Sequence, residues 1–255
     1  MLFRSYPPDI RIIPNGQDWA VSASELIRQV CDEAIRARGR FLLALSGGST
    51  PKTLYQTWAT PDWRPMFDWD RIVFFFGDER CVPPDHPESN FGLAQNALFG
   101  PVGIKPANVH RLHGEQADAL AAAQDYERQI RTVTNCPAPG FPQLDLVLLG
   151  LGDDGHTASL FPGTAALRDQ TRLVTVSQSP KGIATRLTLT AGVINRATVV
   201  LFLVAGAGKA SVVRAVLEPR TDEERALPAA MIRPTSGRLI WMLDQPAAAQ
   251  LTGGR

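Results

Sequence analysis

Apolar residues in this chain fall into two alternating patterns. Short, mainly apolar runs occupy residues 10–13, 41–45, 72–76, 144–149, 197–204 and 239–243, with lesser ones at 173–176 and 187–189. Continuous apolarity with β-branched content, ended by glycine or polar turns, predicts strands buried on both faces. Between them apolar residues recur every three or four positions. Over residues 19–38 these are Ala20, Ala23, Ile27, Val30, Ala34 and Ala37, with Gly39 as the stop. Residues 117–133 set alanines on one face and Glu127, Arg128 and Arg131 on another. Further helices are predicted from the Ser49-Thr50-Pro51 start, from Ser89 or Asn90 to Phe99, through to Leu217, and over 244–251, with a loop over 219–228. Strands alternating with helices predict an α/β protein with a parallel sheet. No linker or tandem repeat divides the chain, so residues 1–255 read as one domain.

Composition narrows the class. The chain is 255 residues long and 44% hydrophobic, enough for one sizeable core. Lys and Arg total 26 against 25 Asp and Glu, without the basic excess expected of a nucleic-acid or membrane-surface binder. Any anion site must be local. Cys31, Cys81 and Cys136 are scattered and odd in number, which predicts a reducing compartment and neither disulfide framework nor zinc knuckle. Arg4, Pro7, Pro8 and Asp9 interrupt the amino terminus where a secretory signal needs an apolar segment, and the run at 197–208 falls short of the ~18 residues of a membrane span. A cytoplasmic protein without metal or cofactor is expected.

Chemistry concentrates where the apolar runs stop. After residue 45 comes Ser46-Gly47-Gly48-Ser49-Thr50-Pro51, whose backbone N–H groups and hydroxyls converge at a helix start and make a phosphate cradle. Lys52 stands only four residues after Gly48, so this is not a nucleotide P-loop. After residue 76 comes Gly77-Asp78-Glu79-Arg80, with Arg80 the natural anion ligand. Adjacent residues of an extended chain point oppositely, so at most one of Asp78 and Glu79 should face a site. After residue 149 comes Gly150-Leu151-Gly152-Asp153-Asp154-Gly155-His156. The G-x-G-x-x-G spacing invites a dinucleotide reading, but two carboxylates would oppose a pyrophosphate. His156 reads either as a histidine that caps a helix starting near Thr157 or is satisfied in the core, or as a general base oriented by a nearby aspartate. After residue 204 comes Gly206-Ala207-Gly208-Lys209, which puts a cation in the first turn of a helix, where the dipole disfavours it unless it reaches an anion. Arg186 opens the strand after the Pro180-Lys181-Gly182 loop. A parallel sheet would gather these turns in one crevice.

The strings LALSGGSTPKTLY, FFGDERCVP with Ser89-Asn90, GLGDDGHTASLFPG, SPK followed by TRLTLT, and AGAGKA resemble the 6-phosphogluconolactonase family over most of the chain. The resemblance implies a three-layer, mostly parallel Rossmann-like sheet with helices on both faces, of the NagB/RpiA/CoA transferase-like type. It also implies hydrolysis of 6-phospho-D-glucono-1,5-lactone in the oxidative pentose phosphate pathway, with a small sugar phosphate as the partner molecule. The wider superfamily includes glucosamine-6-phosphate deaminases, which carry a glutamate five residues after the turn's histidine. Here that place holds Phe161, which moves no protons. A deaminase or isomerase, and a non-catalytic sugar-phosphate sensor, are the competing expectations. For the lactonase, His156 is expected as base and then acid, Asp154 as its support with Asp153 the alternative, and Arg80 or backbone amides of residues 152–155 as oxyanion donors. Ser46, Gly47, Gly48, Ser49, Thr50, Gly155, Arg186 and Lys209 are expected to contact substrate, the phosphate above all.

Overall fold

A computed structural model of the chain describes residues 7–14 and 18–252; Arg4, part of the amino-terminal reading above, lies outside them. The apolar runs become β1 (Asp9–Ile13), β2 (Phe41–Leu45), β3 (Ile72–Phe76), β5 (Leu146–Leu149), β8 (Val199–Val204) and β9 (Arg238–Asp244). They form a six-stranded sheet in the order β1-β9-β8-β5-β2-β3, and every pairing is parallel. Phe41, Leu146, Val147, Val199 and Phe202 are fully buried, which is why these strands read as continuous apolar runs rather than alternating ones. Helices cover the sheet in a three-layer α/β arrangement.

The helix Trp19–Arg38 has the bounds its periodicity predicts. Asp18 caps it by accepting from the amides of Ala20 and Val21, and Gly39 ends it at a φ of 76°. It packs beside the helix Ser49–Trp58, where Trp58 Nε1 donates to Ser24 Oγ at 3.0 Å. The second long helix runs Ala119–Thr134, and its Tyr126 hydroxyl bonds the backbone of Phe76. Towards the carboxyl end the loop expected over 219–228 contains a short helix, Asp222–Arg225, anchored by an ion pair between Arg214 and Glu224.

Another sheet stands apart from the first. β4 (Asp78–Arg80), β7 (Thr185–Leu189) and β6 (Val174–Gln178) pair antiparallel in the order β4-β7-β6, with Arg80 directly opposite Arg186. The Asp78-Glu79-Arg80 segment is thus a strand of its own rather than a loop after β3. No helix starts near Thr157. Ala158 takes a φ of 47°, which no helix accommodates, and Thr157 pairs with Leu160 in an isolated bridge. The next helical turn is Ala165–Arg168.

In the parallel sheet β8, β5, β2 and β3 are consecutive neighbours. Their carboxyl ends therefore stand in a row, and the chain leaves β2 for β3 on one side and reaches β5 on the other. Ligands bind at such switch points. The loop after β2 is locked from beneath by Tyr55, whose hydroxyl donates to the carbonyl of Ser46 at 2.7 Å and accepts from its amide at 3.1 Å. Tyr55→Phe leaves both buried groups unpaired, and a loss of about 1–3 kcal/mol in unfolding free energy is expected from denaturant titration. Unchanged stability would show that the lock contributes nothing.

Candidate active site

The row of strand ends opens into a cleft of about 340 Å³. Ser46, Gly47, Gly48, Ser49 and Thr50 border it from β2, Asp78 and Arg80 from β4, Gly152, Asp153 and His156 from the turn after β5, and Lys209 from the turn after β8. An adjoining cavity of about 440 Å³ shares Asp78, Arg80, Asp153 and His156 and adds Asp154, Phe161, Lys181 and Arg186. The structure thus brings the candidate residues other than Gly155 together around two adjoining spaces. Arg186 faces the second one, beside Arg80, and does not border the Ser46–Thr50 loop as a single phosphate pocket would require.

The turn after β5 is closed by its own backbone. The amide of Gly155 donates to the carbonyl of Gly152 at 3.0 Å, and that of Gly152 donates to the carbonyl of His156 at 2.9 Å. Gly155 has a φ of 78°, accessible to glycine at little cost. The turn seats His156 against Gly152 so closely that a Cβ on that glycine would lie 2.0 Å from Nδ1. His156 Nδ1 lies 2.5 Å from Asp154 Oδ1, and the same oxygen accepts the His156 amide at 3.1 Å. Partial burial pushes the Asp154 carboxyl up, but the bonds from the His156 ring and amide outweigh it and hold it below the ordinary aspartate range. An ionised acceptor fixes the neutral ring's proton on Nδ1 and leaves the Nε2 lone pair free. Phe161 lies across the other side of the ring, with centroids 4.5 Å apart.

Asp153 points elsewhere and pairs with Lys209, Nζ to Oδ1 at 2.6 Å. The neighbouring aspartates, indistinguishable in sequence, have separate partners. Gly155, expected to contact substrate, is placed inside the turn: a Cβ on it would strike Leu227, its amide bonds within the turn, and it lines neither cavity. Its place in the molecule is the turn itself.

Asp78 and Glu79 do point opposite ways. Glu79 is buried and faces away from the cleft, accepting from the amides of Arg80, Asn90 and Phe91 and from Ser89 Oγ. Burial pushes its carboxyl up, against the pull of those bonds. It ties β4 to the helix start that Ser89 caps. Asp78 borders the cleft, held by Ser159 Oγ at 2.6 Å and Asn90 Nδ2 at 3.1 Å. Asn90 and Ser159 were not singled out from sequence for this contact; Asn90's place directly after a helix cap was the only trace of it. A Cβ on Gly47 would lie 1.8 Å from Asn90 Oδ1, so the first glycine of the cradle is needed for this packing.

Arg80 Nη1 donates to the carbonyl of Glu88, while its Nε is buried without a hydrogen-bond partner among the described residues. Arg186 is buried to 7% exposure and donates through Nε to the carbonyl of Ile183. Burial first, then the nearby Arg80 charge, pull its guanidinium below the ordinary arginine range. Among the described residues no carboxylate is ion-paired with either arginine. Adjacent guanidinium groups that line one cavity without a carboxylate partner make a site for an anionic or oxygen-rich molecule.

Residues 14–241 match the family described as glucosamine-6-phosphate isomerases/6-phosphogluconolactonase. The chain belongs to this family. Among relatives, a 6-phosphogluconolactonase of Nostoc sp. is 42% identical over 243 residues, which is 95% of this chain and 98% of that one. One of Synechocystis sp. is 43% identical over 244 residues, covering 96% and 98%. The solved structure of 6-phosphogluconolactonase from Trypanosoma cruzi superposes with a TM-score of 0.87 at 31% identity, over 99% of this chain and 100% of that one. Within this family's fold, no helix among the described residues is long and apolar enough to cross a membrane.

Proposed function

We propose that the protein hydrolyses 6-phospho-D-glucono-1,5-lactone to 6-phospho-D-gluconate, as one catalytic unit over residues 1–255, in the cytoplasm and in the oxidative pentose phosphate pathway. The observation that carries the reading is the His156–Asp154 pair, whose free Nε2 belongs to a ring lining the cleft. Relatives of nearly equal length bear the lactonase name.

Nε2 takes a proton from water, and the hydroxide attacks the lactone carbonyl. Asp154 holds the ring and stabilises the imidazolium. Negative charge gathers on the carbonyl oxygen, and Arg80 is its donor, because it borders the cleft beside His156 without a carboxylate partner among the described residues, while the Gly152 and Gly155 amides are spent inside the turn. The tetrahedral intermediate collapses, the bond from the carbonyl carbon to the ring oxygen breaks, and His156 returns the proton to that oxygen. The carboxylic acid so formed loses its proton to solvent, leaving a carboxylate and a free hydroxyl. Ser46, Gly47, Gly48, Ser49 and Thr50 hold the phosphate with Lys209, and Arg186 approaches from the adjoining cavity. Binding there fixes the distant carbonyl.

An assay pairing freshly made lactone with glucosamine 6-phosphate tests the reading. Acid release from the lactone, unaffected by a metal chelator, and no ammonia from the amino sugar are expected, since Phe161 packs on the imidazole where a proton relay would need a carboxylate. Ammonia release at a comparable rate would overturn it.

A further inference from the structure

The ammonium of Lys209 is already occupied in the free protein. Its Nζ lies 2.6 Å from Asp153 Oδ1, across neighbouring strand ends, and both side chains border the cleft. Lys209 directly precedes the helix Ala210–Leu217, an end whose free backbone N–H groups favour an anion over a cation. The Asp153 carboxylate holds the lysine's ammonium there. A carboxylate oxygen and a phosphate oxygen make the same charge-assisted bond to an ammonium, so they compete for the same donors. Asp153 is 80% exposed at its side chain and Lys209 30%, so the aspartate can swing into solvent more freely than the lysine. Lys181, which also acts on the Asp153 charge, stands with it in the adjoining cavity and gives the displaced carboxylate a second cation.

We propose that Asp153 is a positioning residue of the phosphate site: it keeps Lys209 aimed over the cleft in the free protein and yields the ammonium when phosphate arrives. This rests on the lactonase reading above, in which Lys209 is a phosphate ligand. The two adjacent aspartates then divide the work. Asp154 acts on the imidazole, and Asp153 acts on capture and release of the phosphate end. Competition from Asp153 lowers affinity for substrate and product alike, so the product leaves more readily than Lys209 alone would allow.

Calorimetric titration of 6-phosphogluconate and of inorganic phosphate, at fixed ionic strength, tests this on wild type, Asp153→Asn, Lys209→Met and the double variant. Asp153→Asn is expected to bind both ligands about two- to five-fold tighter, the range of an exposed ion pair. KM should fall by a similar factor while the pH profile of kcat stays in place. Lys209→Met should bind more weakly, and adding Asp153→Asn to it should change nothing further. Unchanged or weaker binding by Asp153→Asn beside a weakened Lys209→Met overturns the proposal alone. Tightening that persists without Lys209 means that Asp153 repels phosphate directly, which also overturns it. Wild-type affinity in Lys209→Met removes the phosphate assignment itself, and the proposal with it.

Discussion

His156→Asn is expected to lower kcat by roughly 10²–10⁴-fold while binding of 6-phosphogluconate stays close to wild type. Asparagine keeps a hydrogen-bonding group beside Asp154 but has no nitrogen that can take a proton from water and return it. The ring borders the cleft and its side chain is 31% exposed, so the substitution opens no buried cavity and the unfolding midpoint should barely move. The alternative, a purely structural histidine, expects the reverse: lost stability and retained turnover. The pH profile separates them again. Only the neutral imidazole accepts a proton, so wild-type kcat should fall as acid converts it to imidazolium. Asp154, held below the ordinary aspartate range, stays ionised over that interval, which makes the limb the histidine's own. The limb should vanish in the variant once spontaneous, hydroxide-driven hydrolysis is subtracted.

Gly152→Ala is expected to cost about 10²-fold or more in kcat without touching any reacting group. The φ of Gly152 lies outside the left-handed region, so alanine's backbone fits without strain. What it meets is the imidazole: the new methyl carbon would stand 2.0 Å from Nδ1 and 2.1 Å from Cε1 of His156. Such contacts cannot persist. The ring must rotate away, breaking the bond to Asp154 and its packing on Phe161. Because the displaced group is a partly exposed side chain, the protein should remain folded, and binding of 6-phosphogluconate should change less than kcat. A wild-type rate in this variant would mean that the His156 geometry is not the catalytic one.

The parallel sheet was legible because burial on both faces writes itself as unbroken apolar runs: β2 and β3 have the bounds read from sequence, and β5 and β8 differ only at their starts. The turns were legible because glycine, hydroxyl and charged residues interrupt those runs abruptly. Of the antiparallel sheet, the strands read at 173–176 and 187–189 are present as β6 and β7, but β4 and the pairing were not legible, since Asp78, Glu79 and Arg80 carry no apolar alternation and the pairing of Arg80 with Arg186 spans distant sequence. The helix that a capping His156 would have started near Thr157 is excluded by one backbone angle at Ala158, a residue type that favours helix. Asp153 and Asp154 could not be told apart because their partners depend on the turn: one reaches Lys209 from the next strand's end, the other folds back two residues to His156. Gly155, expected to contact substrate, lines neither cavity, and its lack of a side chain serves the turn and the close approach of Leu227.

The central claim is that this cleft hydrolyses a phosphorylated sugar lactone and uses the phosphate to do so. NMR observation of the 1,5-lactone signal tests it most directly, with the phosphorylated and unphosphorylated lactones decaying in parallel with and without protein. The account expects decay of the phosphorylated lactone in proportion to protein concentration, with kcat/KM at least about 10-fold above that of the unphosphorylated one, the least that one charge-assisted contact is worth. Decay of the phosphorylated lactone at the rate of buffer alone, or equal acceleration of both, would contradict it.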